Sequence, residues 1–503
     1  MAKTIMLQGT SSNVGKSILA TALCRIFTQD GYQVAPFKSW NMALNSYVTA
    51  DGGEIGRAQA IQADAADVEI GVDMQPFLIK PKGDGQAQVI VKGRPIGDFG
   101  VDRKDPEYIE WAMEIIDSSL RRLSAQYELI VLEGAGSPAE INIKDKDIAN
   151  MKVAKLNQTP VLLVADIDRG GALAAVVGTL KLLEPEERDL VKGIILNKFR
   201  GDFELLKSGI DILEEKTGKP VLGVIPYLKD IRIPAEDSVA LADFCKQEGE
   251  VKIGIINLPH ISNFTDFDSL AYEVGVEVDY LGADADLNNY DAIIIPGTKN
   301  TILDLNYLHT SGLARKIIAQ ANAGKTVIGI CGGYQMLGKK LMDPELVEGR
   351  IRQIIGLGLL DVETTFSKEK RTYQVSGRVY SDLDLFRVLK NELITGYEIH
   401  MGDTKLANNA QALFKIEARS KVQVDLLDGC YNQDLRVWGT YLHGIFDNDN
   451  FRRVFINSLR RDKGLKELAK ECSTRKALVE SYDNLTEVVR GNLDMDKIYQ
   501  IIE

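Results

Sequence analysis

A chain of 503 residues exceeds what one ordinary hydrophobic core organises and predicts two or three domains. A formal charge of −12 argues against a nucleic-acid partner, because a phosphate backbone is bound by a basic surface that displaces counterions; a nucleotide needs only one small positive pocket. With 45% hydrophobic and 26% charged residues the composition is that of a soluble globular protein, and no apolar run reaches the roughly 18–20 residues of a membrane span. The opening MAKTIMLQGT meets a glycine loop without the apolar segment or cleavage site of a secretory signal. The five cysteines (Cys24, Cys245, Cys331, Cys430, Cys472) are odd in number, scattered and without a CxxC pair, which fits a reducing cytoplasm better than a disulfide framework or a zinc site.

Along the first half, Thr4–Gln8, Leu129–Leu132, Pro160–Ala165, Gly193–Leu196 and Val221–Ile225 read as buried strands, each followed by a turn and helix-forming sequence. Continuous rather than alternating apolar runs suit a parallel sheet covered on both faces. The pattern pauses over the polar AEDSVALADFCKQEGE and restarts at Val251–Leu258, with Ala292–Pro296, Thr326–Ile330 and Val437–Leu442 as further strands. The expected architecture is therefore α/β: two doubly wound domains, 1–245 and 246–450, with a helical tail over 451–503 packed on one of them.

Directly after the first strand comes Gly9-Thr-Ser-Ser-Asn13-Val-Gly15-Lys16-Ser17, then an apolar helix. In a phosphate loop, backbone N–H groups and the helix N-terminus face the phosphates, the lysine reaches the outer ones, and the serine hydroxyl ligates Mg²⁺. Five residues rather than four separate Gly9 from Gly15, a departure from the strict pattern. Glu133 ends the strand in YELIVLEGAGS, where open α/β sheets bind ligands, and a carboxylate there can hold Mg²⁺; the competing reading is a surface glutamate before a turn. Asn197 and Lys198 end the strand in GIILNKFRGD, where an amide can read a purine edge. Asp51 in TADGGEIGRAQA is either a second magnesium carboxylate or a turn former.

In the second half, Thr326–Ile330 leads into Gly329-Ile-Cys331-Gly332-Gly333, a strand, sharp turn and helix with a reactive side chain flanked by glycines. That is the pattern of a nucleophile elbow, whose strained backbone needs small neighbours, and a helix N-terminus favours the thiolate. A thiolate nucleophile needs a base. His443, at the end of the strand in RVWGTYLHGIF, is favoured over His400 in GYEIHMG. The N–H groups of Gly297, in the loop after Ala292–Pro296, and of Gly332 are candidates for an oxyanion hole.

The stretch PFKSWNMALNSYVTADGGEIGRAQA, with LEGAGSPAEIN, ADIDRGG, LNKFRGD, GICGGYQMLG, GYEIHMG and YLHGIF in that order, resembles the cobyric acid synthase family of cobalamin biosynthesis over essentially the whole chain. The resemblance implies an N-terminal ATP-dependent domain similar to dethiobiotin synthetase, which accounts for the lengthened phosphate loop, and a C-terminal class I (flavodoxin-like) glutamine amidotransferase domain. It implies ATP, Mg²⁺, glutamine and a corrinoid as small-molecule ligands, and amidation of the b, d, e and g carboxylates of adenosylcobyrinic acid a,c-diamide, with ammonia passing between the sites. Many class I domains place a glutamate two residues after the histidine; here Ile445 stands there, so a Cys331–His443 dyad is expected and the group that orients the imidazole is open. Trp40–Tyr47 and Asp51–Arg57 are the expected corrinoid contacts. The rival readings are a cobyrinic acid a,c-diamide synthase, against which WNMALNSYVTADGG argues, and a partition-type ATPase switch, which would need neither the cysteine nor the histidine.

Overall fold

Lys3–Gly9 is buried almost throughout, and it takes the centre of a six-stranded, wholly parallel sheet. Across that sheet the order is Val221–Pro226, Val191–Phe199, Val161–Asp166, Lys3–Gly9, Leu129–Glu133, Val34–Phe37. The computed structural model describes residues 2–503 apart from 84, 101–104, 229–232, 235–247, 383–384, 408–409, 433, 435 and 470–472, so the boundary expected near residue 245 lies outside the described residues. Strand order reverses on the two sides of Lys3–Gly9, and the carboxyl ends of the strands at such a switch point are the usual ligand position in open α/β sheets. Two hydrophobic clusters cover this sheet.

A second sheet runs Val276–Leu281, Val251–Ile256, Ala292–Ile295, Thr326–Ile330, Val437–Thr440, Cys430–Asn432, parallel except for the last strand, around its own core. The fold is thus α/β with two doubly wound sheets. Both units also carry strands that sequence reading passed over. A small sheet orders Trp40–Met42, Phe77–Gly83, Gln86–Val91 and Arg94–Gly100, and a long antiparallel pair joins Val362–Val379 to Leu393–Leu406. The long pair mixes buried and exposed residues and is rich in Lys, Arg and Thr, so it lacks the continuous apolar signature of the parallel strands.

The C-terminal helices differ from expectation: they span both units. Asp449–Asp462 buries Phe451, Phe455, Ile456 and Leu459 in the second core. Thr474–Gly491 and Met495–Ile502 return to the first, where Tyr482, Leu485, Val489, Ile498 and Ile502 join the cluster that holds the helix Lys16–Gln29. Arg490–Asp30, Arg475–Asp64 and Asp483–Arg25 pairs edge that contact. Helical periodicity specifies an apolar face, not the surface that will cover it.

The two units meet along a polar seam. Ser46 N donates to Asn263 Oδ1 (3.0 Å) and Phe264 N to Asn45 Oδ1 (3.2 Å). Glu54 is buried between Lys80 of its own unit (2.7 Å) and Lys370 of the other, and against the penalty of burial the two lysines hold its carboxyl well below the usual range. The Tyr47 and Tyr397 rings lie 5.9 Å apart. Asn45, Ser46, Tyr47 and Glu54, which lie in the stretches Trp40–Tyr47 and Asp51–Arg57 expected at the corrinoid, therefore face the second unit across this seam.

Candidate active sites

In the first unit, Gly15 ends the phosphate loop at φ 96° and is the N-cap of the helix Lys16–Gln29. No side chain fits there, since a Cβ would overlap the Asn197 amide nitrogen. Asn197 Nδ2 donates to Val14 O (2.8 Å), and Lys198 Nζ donates to Asn13 O (2.6 Å) and pairs with Asp166 (2.9 Å). The amide expected to read a purine is thus engaged with the loop itself, and both residues hold the loop's shape. Lys16 folds back over the loop, its Nζ donating to Ser11 O (3.3 Å) and Gly136 O (3.1 Å).

Glu133 is the focus of this site. Its carboxylate accepts from Ser17 Oγ (2.8 Å), Lys38 Nζ (2.8 Å) and Gln62 Nε2 (2.7 Å). Lys38 follows the strand Val34–Phe37, which pairs in register with Leu129–Leu132, and so arrives beside Glu133; sequence reading missed it. The adjoining serine hydroxyl and glutamate carboxylate are hard oxygen donors beside a phosphate loop, a set suited to Mg²⁺, which fills its remaining positions with water and phosphate oxygens. Asp51 is not among them. It lies exposed in the turn between Ser46–Val48 and Glu54–Gly56 and accepts from the Thr49 hydroxyl, the role of a turn former.

In the second unit Cys331 stands between the strand Thr326–Ile330 and the helix Gly332–Leu337 at φ 51°, a strained conformation for a side-chain-bearing residue. Glycines make it possible: a Cβ on Gly333 would overlap the carbonyl oxygen of Ile295. His443 is buried and lines the same pocket as Cys331, whose thiol donates to Ile399 O (3.5 Å). A Cβ on Gly297 would come within 2.9 Å of His443 Cε1, and one on Gly332 within 2.8 Å of Thr298, so both expected oxyanion glycines flank the thiol–imidazole pair. His400 also lines the pocket, but its Nδ1 meets Gly402 O (2.8 Å) and its ring stacks on Tyr441.

The imidazole is oriented by a residue that sequence reading did not find. Asp266 Oδ2 lies 2.6 Å from His443 Nδ1, while Asp266 Oδ1 accepts from Gly444 N (3.1 Å) and Tyr397 OH (3.4 Å). Burial alone would lower the His443 pKa, but Asp266 and Cys331 push it up to about 10, so the imidazolium is the resting form. Asp266 comes from the short 3-10 turn Phe264–Phe267, and it takes the part that the absent glutamate at position 445 would have played. Arg57 of the first unit exerts its field on Asp266 and Tyr397 across the seam.

Among the described residues, no helix is long and apolar enough to cross a membrane. Residues 5–240 match the family model described as CobQ/CobB/MinD/ParA nucleotide binding domain, and residues 252–451 match the CobB/CobQ-like glutamine amidotransferase domain. The chain is 52% identical to a cobyric acid synthase of Dehalococcoides mccartyi over 510 aligned positions, covering 100% of this chain and 99% of the relative. Relatives of the same name from Desulforamulus reducens (51% identical, 98% of the relative) and Pelotomaculum thermopropionicum (52%, 97%) also align with 100% of this chain. The chain belongs to the cobyric acid synthase family.

Proposed function

We propose that the chain is a glutamine-dependent amide ligase of cobalamin biosynthesis that converts peripheral carboxylates of a corrinoid into amides at the expense of ATP. One observation carries this reading: a buried thiol–imidazole–carboxylate line in one unit shares a polar seam with a phosphate loop and a lysine-held glutamate in the other. The first arrangement releases ammonia from an amide, and the second activates a carboxylate by phosphorylation.

Cys331 attacks the side-chain amide of glutamine, and the N–H groups of Gly297 and Gly332 receive the oxyanion. His443 donates its proton to the departing ammonia and then takes one from the water that frees glutamate from the thioester. Asp266 keeps the imidazole turned toward the sulfur. In the first unit Lys16 and Lys38 offset the charge that develops as a corrinoid carboxylate takes the γ-phosphoryl group of ATP. Ser17 and Glu133 would hold Mg²⁺, which neutralises phosphate charge when bound. Ammonia captures the acyl phosphate, with the amide, ADP and phosphate as products. The substrate is adenosylcobyrinic acid a,c-diamide, amidated at b, d, e and g.

The test is product mass with MgATP, glutamine and that corrinoid. Four successive losses of about one dalton are expected, since each carboxylate-to-amide exchange replaces OH by NH₂. Lys16→Met should slow corrinoid amidation about 10²-fold with glutamine and with ammonium alike, while glutamine hydrolysis persists. Glutamine hydrolysis with ATP but no change in corrinoid mass would keep the amide-ligase reading and discard the corrinoid.

A further inference from the structure

The pocket that holds Cys331 and His443 is charged on its far side. Lys80, Lys299, Lys370 and Glu348 line it together with Gln335. Lys80 and Lys370 are matched: both pair with Glu54, and Lys80 also donates to Ser46 Oγ (2.9 Å). Lys299 and Glu348 attract each other across the pocket without pairing closely. Among the described residues neither forms an ion pair. Lys299 Nζ donates to Gln88 Oε1 of the first unit (3.2 Å), and Glu348 Oε2 accepts from Thr301 N (2.6 Å).

A buried ammonium and a buried carboxylate that attract each other without an ion pair are only partly compensated, and a ligand that brings the complementary pair satisfies both. Burial, with Lys370 and Lys80 nearby, pulls Lys299 down to about 7 against the attraction of Glu348, and burial pushes the Glu348 carboxyl up against the attraction of Lys299. An α-amino acid whose amide reaches Cys331 carries the missing charges at its other end. Position in the chain supports the same match: Lys299 lies two residues after Gly297, and Glu348 meets the first residue of the helix Thr301–Thr310 that follows.

We propose that Lys299 binds the α-carboxylate of glutamine and Glu348 its α-ammonium group. The assignment rests on the glutaminase reading of Cys331 and adds the groups that select glutamine from other primary amides. It also makes the first unit part of the glutamine site, because Gln88 accepts from both Lys299 and Lys370 (3.0 Å) and so fixes where Lys299 points.

The experiment compares amide hydrolysis by the full chain on glutamine, on glutaramate (which lacks the α-amino group) and on γ-aminobutyramide (which lacks the α-carboxylate). Each variant is read as a ratio of kcat/KM between two substrates, which cancels losses common to all, partial misfolding included. Lys299→Met should lose about 10- to 100-fold on glutamine and glutaramate relative to γ-aminobutyramide, as expected for a charge-assisted hydrogen bond. Glu348→Gln should show the mirror pattern, losing on glutamine and γ-aminobutyramide relative to glutaramate, and Lys299→Arg should recover part of the loss. Equal losses on all three amides would overturn the assignment. If a variant is inactive on every substrate, the unsubstituted chain decides: hydrolysis of the truncated amides as efficient as that of glutamine sinks the proposal. Failure of the glutaminase reading itself would look different, as glutamine hydrolysis that survives Cys331→Ala.

Discussion

Cys331→Ala is expected to lower glutamine-dependent amidation about 10⁵-fold or more while amidation driven by ammonium chloride continues at a rate comparable to that of the unsubstituted chain. The size follows from the loss of a nucleophile that acts as one unit with its base, where removing one member costs nearly as much as removing all. The separation follows from the fold. Cys331 sits at the turn from Ile330 into the helix Gly332–Leu337 of the second unit, whereas Lys16 and Ser17 open a helix, and Lys38 and Glu133 sit at strand ends, in the first. The side chain is small and almost wholly buried, and alanine accepts the same elbow with only the sulfur removed. Glutamate release and corrinoid mass, measured in parallel, check the split. Loss of the ammonia-driven reaction as well would mean that Cys331 supports the structure of both units, and the nucleophile assignment would fall.

What could be read from the chain follows from how each residue is delivered. Cys331 and His443 stand just beyond strands of continuous buried residues, and Lys16 and Ser17 open a helix directly after the first strand, so an apolar run and a turn suffice to place them. Lys38 needs sheet order: it reaches Glu133 only because Val34–Phe37 pairs with Leu129–Leu132, a neighbour relation that no local pattern carries. Asp266 needs more still, since it is 177 residues from His443 in the chain and lies on a 3-10 turn without periodicity. Parts of Trp40–Tyr47 and Asp51–Arg57, the stretches that the resemblance suggested for the corrinoid, also serve the seam. Asn45, Ser46 and Glu54 make contacts with Phe264, Asn263 and Lys370 that no local pattern announces. A polar stretch buried at a seam and one exposed to a ligand have the same composition.

Asp266→Asn should reduce glutamine hydrolysis about 10³-fold in kcat, by the logic that a misplaced imidazole tautomer disables a nucleophile–base pair. Gly444 N donates to Asp266 Oδ1, so an asparagine keeps its carbonyl oxygen there and turns its NH₂ toward His443 Nδ1. That nitrogen would then accept, the ring proton would move to the nitrogen facing Cys331, and the imidazole could no longer take a proton from the thiol. The pH profile distinguishes this from a loss of packing. His443 must be protonated to release ammonia, so activity declines as pH rises through its pKa, which Asp266 and Cys331 hold near 10 against an ordinary 6.5. With the aspartate charge gone the pKa falls toward the ordinary value, and the alkaline limb of kcat should shift to lower pH. A purely structural role would lower the urea midpoint and leave that limb in place. Arg57 makes the shift a probe of the seam as well, because its positive field reaches Asp266 from the first unit. Removing that field by Arg57→Met should strengthen the proton affinity of the Asp266–His443 pair and move the same limb the opposite way, to higher pH.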